Sequence, residues 1–380
     1  MRLGWELPFA EYLAAVRDRL LSSPGFRRWA TAFPLTRPIA RRRARALFDL
    51  CAGFVYSQVL LACTRLGLFE MLSEGPQTVA ELSRRLSLSE EATRQLLGAA
   101  VSLRLIARRR GDCFGLGELG AAMVGNAAVA AMVEHHALLY KDLSDPVELL
   151  RGARKDTQLS QYWPYAGTDR PANLDAERVA AYSDLMSASQ PLIAEEVLDA
   201  YPLTRHRCLL DIGGGDGSFL VAAAARAPKL QLMLFDLPAV AERARLRFSG
   251  AGLASRAEAI GGDFHIDRLP RGADVASLVR VIHDHDDERA LSILRGVRRA
   301  LPPDGRILLA EPMAGTPGAE PMGEAYFGFY LMAMGKGRAR TFAELTDLLN
   351  KAGFCNVRLL PTRLPLQTRL LVASCANQEK

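Results

Sequence analysis

The stretch LLDIGGGDGSFL, residues 209–220, decides the fold of this chain. Leu209, Leu210 and Ile212 read as a short buried strand. The segment SFLVAAAAR, residues 218–226, reads as a helix that follows at once, so four glycines occupy a strand-to-helix turn. In open α/β sheets that turn is where ligands bind. A dinucleotide fingerprint G-x-G-x-x-G begun at Gly213 continues through Gly215 but meets Ser218 where the third glycine belongs, which weakens a nicotinamide reading. Asp211 and Asp216 flank the turn with carboxylates. These would repel a pyrophosphate and suit a ligand carrying an ammonium and a sulfonium, so S-adenosylmethionine is the expected occupant, held around Asp211, Gly213, Gly215 and Gly217.

Outward from this turn the pattern repeats. Strands are expected near 207–212, 231–236, 256–260, 274–281 and 306–311 with helices between them, which means a parallel sheet with right-handed crossovers. A helix over 341–352 and two closely spaced strands, CNVRLLP and TRLLVASC, then close the chain as a hairpin whose last strand inserts antiparallel. Asp236 ends the second strand 25 residues after Asp211, where a carboxylate can accept both ribose hydroxyls. Asp263 and Phe264 end the third, suited to the adenine amine and ring. His283, Asp284 and His285 follow the fourth strand at the same edge.

Ahead of the sheet, FDLCAGFVYSQVLLACTRLGLFEML, residues 48–72, is apolar on almost every face, as in a helix buried on all sides that meets a second subunit. Thr78 with Glu81 forms a capping box, Ser89 caps a second helix, and IARRRGDCFGLG reads as a hairpin turning at Gly111 and Asp112. Helix, helix, hairpin is a winged-helix unit. Nucleic-acid binding is not expected of it, because the would-be recognition helix begins with Glu90 and Glu91 and offers few polar side chains to read bases.

Composition bounds the rest. The chain has 380 residues, 49% hydrophobic and 24% charged, enough for two globular domains, expected at 1–165 and 166–380. Six scattered cysteines show neither disulfide nor zinc spacing, so no metal is expected. The N-terminus lacks the basic-then-apolar order of a signal peptide, and apolar stretches such as 127–133 are too short and too Ala-rich to span a bilayer, which together predict a cytoplasmic protein. Charge is uneven. Residues 1–48 carry ten arginines against Glu6, Glu11 and Asp18, a local +7 that leaves −1 for the remainder of a +6 chain. With Trp5, Phe9, Trp29 and Phe33 nearby, Arg41, Arg42, Arg43 and Arg45 suit an anionic membrane surface; a solvated or dimer-covering helical segment fits the same residues.

From Leu47 to the C-terminus the sequence resembles the S-adenosylmethionine-dependent O-methyltransferases of the plant caffeate type and their bacterial relatives, through LLDIGGGDG, LFDLP, GGDF, VIHDHDDERA and LLAEP in that order. Within the family, ALFDLCAGFVYSQVLLA, LLYKDLSDPVELLRG, QYWPY and YSDLMSASQ are most similar to the enzymes of purple phototrophic bacteria that methylate the 1-hydroxyl of acyclic carotenoids. The resemblance implies a Rossmann-like class I methyltransferase domain of the α/β class, with a seven-stranded mostly parallel sheet and an N-terminal helical winged-helix dimerisation domain. It also implies a homodimer, a hydrophobic small-molecule acceptor and a place in the cytoplasm or peripherally on the inner or photosynthetic membrane.

The family's base falls on His283. His285 stands where the family has Trp, so either histidine, or a water shared by both, is a candidate for the proton. Of the family's two orienting glutamates one falls on Glu311 and the other on Ala339; Glu344 lies five residues further on. The aromatic and Met-rich segment GEAYFGFYLMAMGKG, residues 323–337, with Trp163, Tyr165, Tyr182 and Met186, suits a long apolar acceptor and suits an ordinary buried helix equally. Methylation of a phenol, polyketide or tetrapyrrole, and a non-enzymatic winged-helix DNA-binding sensor, are the alternatives.

Overall fold

A computed structural model of the chain describes residues 6–152, 156–163, 176–365 and 368–375, the side chains of 6–8 and 176–184 aside. It divides into two compact units, residues 1–124 and 125–380; the expected junction at 165/166 lies inside the second.

The first unit begins with α1 (Glu6–Ser22), α2 (Pro24–Ala32), α3 (Arg37–Arg65) and α4 (Leu68–Ser73). It continues with β1 (Gln77–Thr78), α5 (Val79–Leu86), α6 (Glu90–Ser102), β2 (Ile106–Arg109), β3 (Cys113–Leu116) and α7 (Glu118–Ala121). The three strands form a small antiparallel sheet in the order β1-β3-β2. Thr78 and Glu81 close the capping box that starts α5, and Ser89 Oγ accepts from the Ala92 N–H at the start of α6. Gly111 and Asp112 turn the wing with φ of 72° and 54°. Phe69, Leu82, Leu97 and Ile106 form its core, all fully buried.

Helix α3 presents, within the single chain, the apolar surface that a second subunit is expected to cover: Leu47, Phe48, Leu50 and Phe54 are each more than 60% exposed. It also contains an 18-residue window of mean hydropathy 1.7, long and apolar enough to cross a membrane by length and composition. The sequence test missed it because it weighed contiguous apolar runs, whereas here Ser57, Gln58 and Thr64 interrupt the apolar positions without lowering the average below that level.

The second unit opens with α8 (Ala127–Asp142), α9 (Pro146–Leu150), α10 (Gln158–Tyr162) and α11 (Ala176–Ala200). Then β4 (Cys208–Ile212), α12 (Ser218–Arg226), β5 (Gln231–Asp236), α13 (Pro238–Gly250), β6 (Ala257–Gly261), β7 (Val275–Val279), α14 (Asp287–Ala300) and β8 (Arg306–Glu311) alternate as the sequence predicts. After a π-helical turn, Met322–Phe327, come α15 (Gly328–Met334), α16 (Phe342–Lys351), β9 (Phe354–Leu360) and β10 (Arg369–Cys375). The seven strands run β6-β5-β4-β7-β8-β10-β9, parallel except for β10, which pairs antiparallel with both β8 and β9.

The parallel strands read as continuous apolar runs because helices cover both faces, and every residue of β7 (VASLV) is buried. Helix α14 shows how the cover is made. Ala290, Ile293, Leu294, Val297 and Ala300 form a stripe at helical spacing that packs on one face of the sheet. Asp286 caps its start and Arg298 and Arg299 sit in its last turn, matching the helix dipole. The chain order places the switch point between β4 and β7, so the loops after β4, β5, β6, β7 and β8 share one edge.

Candidate active site

The glycine turn comes first along that edge. Gly213, Gly215 and Gly217 adopt φ of 67°, 61° and 82°, so the chain doubles back over the end of β4. A Cβ on Gly214 would lie 2.5 Å from Asp211 Oδ2, and one on Gly217 would lie 2.5 Å from the ring of Phe248. At Gly217 packing between α12 and α13 adds to the left-handed φ in requiring glycine. Asp211 is fully buried. Its Oδ1 accepts from Ser277 Oγ at 2.6 Å, while Oδ2 has no partner among the described residues. Burial, with help from the nearby Asp236 charge, raises the Asp211 carboxyl to about 7 against the Ser277 hydrogen bond.

Asp236, half-buried at the end of β5, accepts from the Gly215 N–H at 2.8 Å and from the Leu237 N–H at 2.7 Å. Burial outweighs both bonds and raises it to about 6. Asp216, the second carboxylate of the turn, is committed elsewhere. It accepts from Ser218 and pairs with Arg247, and these partners outweigh burial to lower its pKa. It therefore does not offer the cofactor the uncompensated charge expected from the sequence. Asp263 is buried just beyond β6 and accepts from the His265 N–H at 2.9 Å. Beside it the Phe264 ring stands edge-on to His285, centroids 5.6 Å apart. A Cβ at Gly213 would meet Val281 at 2.9 Å and Phe264 at 3.8 Å, so the loops after β4, β6 and β7 converge there.

The histidine loop is tied down from several directions. Glu311, buried at the end of β8, accepts from the Val281 and Ile282 N–H groups through Oε1 (3.0 and 2.7 Å) and meets His283 Nδ1 through Oε2 at 2.6 Å. A carboxylate at Nδ1 favours a proton there, so it is the neutral ring that presents Nε2 as a proton acceptor. Asp284 Oδ1 sits 3.2 Å from that Nε2. Burial opposes the charged form of His283, but Asp284 and Glu311 outweigh it and raise its pKa above the ordinary value.

His285 contrasts with it. It is buried against Phe264 and His265 and has no carboxylate partner among the described residues; burial and neighbouring positive groups hold it down at about 3. The segment that carries Ala339 supports the loop from below. The Arg338 N–H donates to the His283 carbonyl at 2.9 Å, and Arg340, almost wholly buried, donates to the carbonyls of Ile282 (2.8 Å) and His285 (2.7 Å) and to Asp287 (2.8 Å). Glu344 does not replace the missing glutamate, because it caps α16 through Thr341 and pairs with Arg338.

An aromatic layer continues from the histidine. Phe327 stands edge-on to His283 at 5.9 Å and to Tyr326 at 5.0 Å. Tyr330 OH joins His135 Nε2 (2.7 Å) and accepts from Trp163 Nε1 (3.0 Å), and Tyr326 OH joins His136 Nε2 (2.7 Å). Of the bridging residues expected near an acceptor, Trp163 and Met186 lie in this cluster. Tyr165 and the side chain of Tyr182 lie outside the described residues. The sequence reading missed His135, His136, Arg340 and Arg280. The first two had a signal, adjacent histidines following the apolar run AAVAAMV and facing two tyrosines spaced i, i+4; Arg340 is legible only through the tertiary contacts it makes. Arg280 holds a left-handed φ of 57° at the end of β7 and reaches Ser189 and Gln190 on α11.

Comparison with known proteins fits this edge. Residues 140–355 match the family model of the O-methyltransferase domain, and residues 48–133 match the O-methyltransferase dimerisation domain. The chain belongs to the O-methyltransferase family. This methyltransferase is 44% identical over 355 residues, 93% of each chain, to demethylspheroidene O-methyltransferase of Cereibacter sphaeroides. It is 39% identical to the protein of the same name from Rhodobacter capsulatus (90% of this chain, 84% of that one). To acetylserotonin O-methyltransferase of Mus musculus it is 34% identical (85% and 87%). Among solved structures it resembles the mitomycin 7-O-methyltransferase MmcR (TM-score 0.72, 27% identity, 89% of this chain and 100% of that one) and PigF with SAH (TM-score 0.67, 25%, 87% and 99%).

S-adenosylmethionine is the cofactor, and the edge fits it. Among the described residues Asp211 Oδ2 is a buried acceptor without a donor and the acidic pair Asp211 and Asp236 has no facing cation, which the ammonium and sulfonium of the cofactor provide. Bound there, it supplies an electrophilic methyl carbon.

Proposed function

We propose that this methyltransferase transfers a methyl group to the 1-hydroxyl of an acyclic carotenoid of the hydroxyneurosporene or demethylspheroidene type. The observation that carries the reading is the 44% identity over 93% of both chains with demethylspheroidene O-methyltransferase. In this reading Asp211, Gly213, Gly215 and Gly217 cradle the cofactor, Asp236 accepts from its ribose, and Asp263 with Phe264 borders its adenine. His283 is the proton acceptor, Glu311 orients it, and His285 is a neutral wall beside Phe264 rather than a second base. Phe327, Tyr326 and Tyr330 border the acceptor. The chain acts as a homodimer on the cytoplasmic side and meets its water-insoluble acceptor peripherally at an anionic membrane.

The proton path follows from the geometry. A tertiary aliphatic alcohol is far less acidic than imidazolium, so its proton moves to His283 Nε2 as the oxygen–carbon bond forms or after it. Nδ1–H meanwhile stays on Glu311, and Asp284 receives the new Nε2–H. Positioning the hydroxyl in line behind the methyl group contributes more, on the order of 7–11 kcal/mol of the barrier. The reading is tested by incubating the purified protein with methyl-labelled S-adenosylmethionine and 1-hydroxyneurosporene, with a catechol as comparator. Label in the catechol but not in the carotenoid overturns the acceptor and leaves the enzyme class standing.

A further inference from the structure

The first two helices carry a surface that the methyl transfer does not use. On α1 the exposed apolar side chains are Phe9, Tyr12, Leu13, Val16 and Leu20, each 39–67% exposed. At about 100° per residue they fall within roughly 60° of one line along the helix. Arg17 and Arg19 lie about 80° to either side of that line, and Glu11 and Asp18 fall on the far side. The half-buried residues Ala14 and Leu21 mark a different, inward-facing direction. Helix α2 adds an aromatic run, Phe26, Trp29 and Phe33, with Trp29 and Phe33 stacked at 5.1 Å and still 51% and 39% exposed; Arg27 and Arg28 are exposed beside it.

We infer that α1 and α2 lie in the headgroup region of an anionic lipid surface, apolar stripe and Trp29 inward, with Arg17, Arg19, Arg27 and Arg28 on the phosphates. This rests on the peripheral-membrane reading above and moves its contact from the arginines of α3 to the two helices before it. Three observations favour lipid over a second copy of the chain. An apolar line flanked by arginines is the pattern of a helix that lies in a bilayer interface, where long basic side chains reach up to the headgroups. A twofold contact at this patch would set its arginines against their own copies, whereas an anionic leaflet is complementary to the +7 of residues 1–48. Finally, the match to the dimerisation domain begins at residue 48, which assigns the exposed face of α3 from Phe48 onward to the dimer and leaves α1 and α2 outside the matched segment.

The test is flotation of the full chain with phosphatidylglycerol vesicles and, separately, phosphatidylcholine vesicles. The protein is expected to float with the first and not the second, and to be released by salt, since the attraction is screened within about 8 Å at physiological ionic strength. Each basic residue at such a surface is worth about fivefold in partition, so a variant with Arg17, Arg19, Arg27 and Arg28 changed to Gln is expected to lose roughly 600-fold. Leu13→Ser with Val16→Ser is expected to weaken flotation at unchanged net charge. A control in which the wing residues Arg108, Arg109 and Arg110 become Gln is expected to float like the wild type. The proposal is overturned by failure of the wild type to float, by equal loss in the wing control, or by α1–α2 variants that lose the dimer in light scattering, which would assign the helices to the subunit interface. Labelled methyl transfer to detergent-dispersed 1-hydroxyneurosporene is measured in parallel. Its failure alone would remove the acceptor and leave the lipid surface in place.

Discussion

At the ends of β4 and β5 the structure buries two carboxyls with no basic side chain paired to either among the described residues, and at the end of β7 it does the opposite. Asp211 has a buried oxygen without a donor, and burial lifts both it and Asp236 well above ordinary carboxylates. Across Gly213, the loop of residues 281–285 is held by Glu311, by the Arg338 N–H and by Arg340 before any acceptor arrives. The first region costs free energy that a cationic, donor-rich cofactor returns on binding. The second spends its interactions on position. One half of the edge is thus completed by its ligand, and the other is finished in advance for a proton transfer that depends on distance.

The comparison breaks first at His283. His283→Ala is expected to lower turnover on the order of 100- to 10,000-fold while S-adenosylmethionine affinity changes little, because the histidine belongs to the preset half. His285→Ala is expected to cost far less, since that ring is neutral and lacks a carboxylate partner. Single-turnover rates beside calorimetric affinities decide it: a larger loss in the His285 variant would exchange the two roles.

On the cofactor side, Asp236→Ala is expected to weaken S-adenosylmethionine binding on the order of tenfold to a hundredfold with the fold intact. The wild-type affinity is also expected to fall as pH drops through about 6. The carboxyl must be ionised to accept two hydroxyls and to face a sulfonium, and burial has raised its folded-state value to about that point. Asp236→Asn should bind weakly and keep only the pH dependence that Asp211 contributes. Calorimetry between pH 5 and 8 measures both, and a flat wild-type profile would argue that Asp236 does not meet the cofactor.

Arg340→Met is expected to lower turnover on the order of tenfold and stability by about 2 kcal/mol, since the carbonyls of Ile282 and His285 lose buried donors. Arg340→Lys should recover part of the turnover. As a positioning residue it should leave cofactor affinity almost unchanged. Equal loss of affinity and turnover would make it merely structural.

How much of this was readable in the chain differs between the same two regions. The cofactor half is local: glycines, Asp211, Asp236 and Asp263 each sit at a strand end, and strand ends follow from short apolar runs. The parallel pairing of the alternating strands and the antiparallel insertion of β10 were legible for the same reason. The histidine half is not local. Glu311 reaches His283 across 28 residues and Arg340 reaches Ile282 across 58, so only the resemblance pointed to the first and nothing pointed to the second. Charge on Asp216 was over-read because Arg247, which offsets it, is a partner that only the packing of α13 supplies.

The smallest effect sharpens the contrast most. Asp284 faces Nε2 of His283, the side on which the acceptor hydroxyl must arrive, and with Glu311 it lifts the histidine above its ordinary value. Only the unprotonated ring takes the proton, so turnover should rise with pH through a value above 6.5 and then level off. Asp284→Asn keeps the size of the side chain and removes the charge. The histidine then ionises less readily, the acid limb moves to lower pH, and the variant retains a larger share of its own plateau rate at pH 6 than the wild type does. The plateau itself should fall only severalfold, because Glu311 still fixes the ring through Nδ1. A pH–rate profile under saturating cofactor reads this directly. A limb that stays in place, or moves to higher pH, would mean that the carboxylate at 3.2 Å does not act on His283 and that the preset half is held by Glu311 alone.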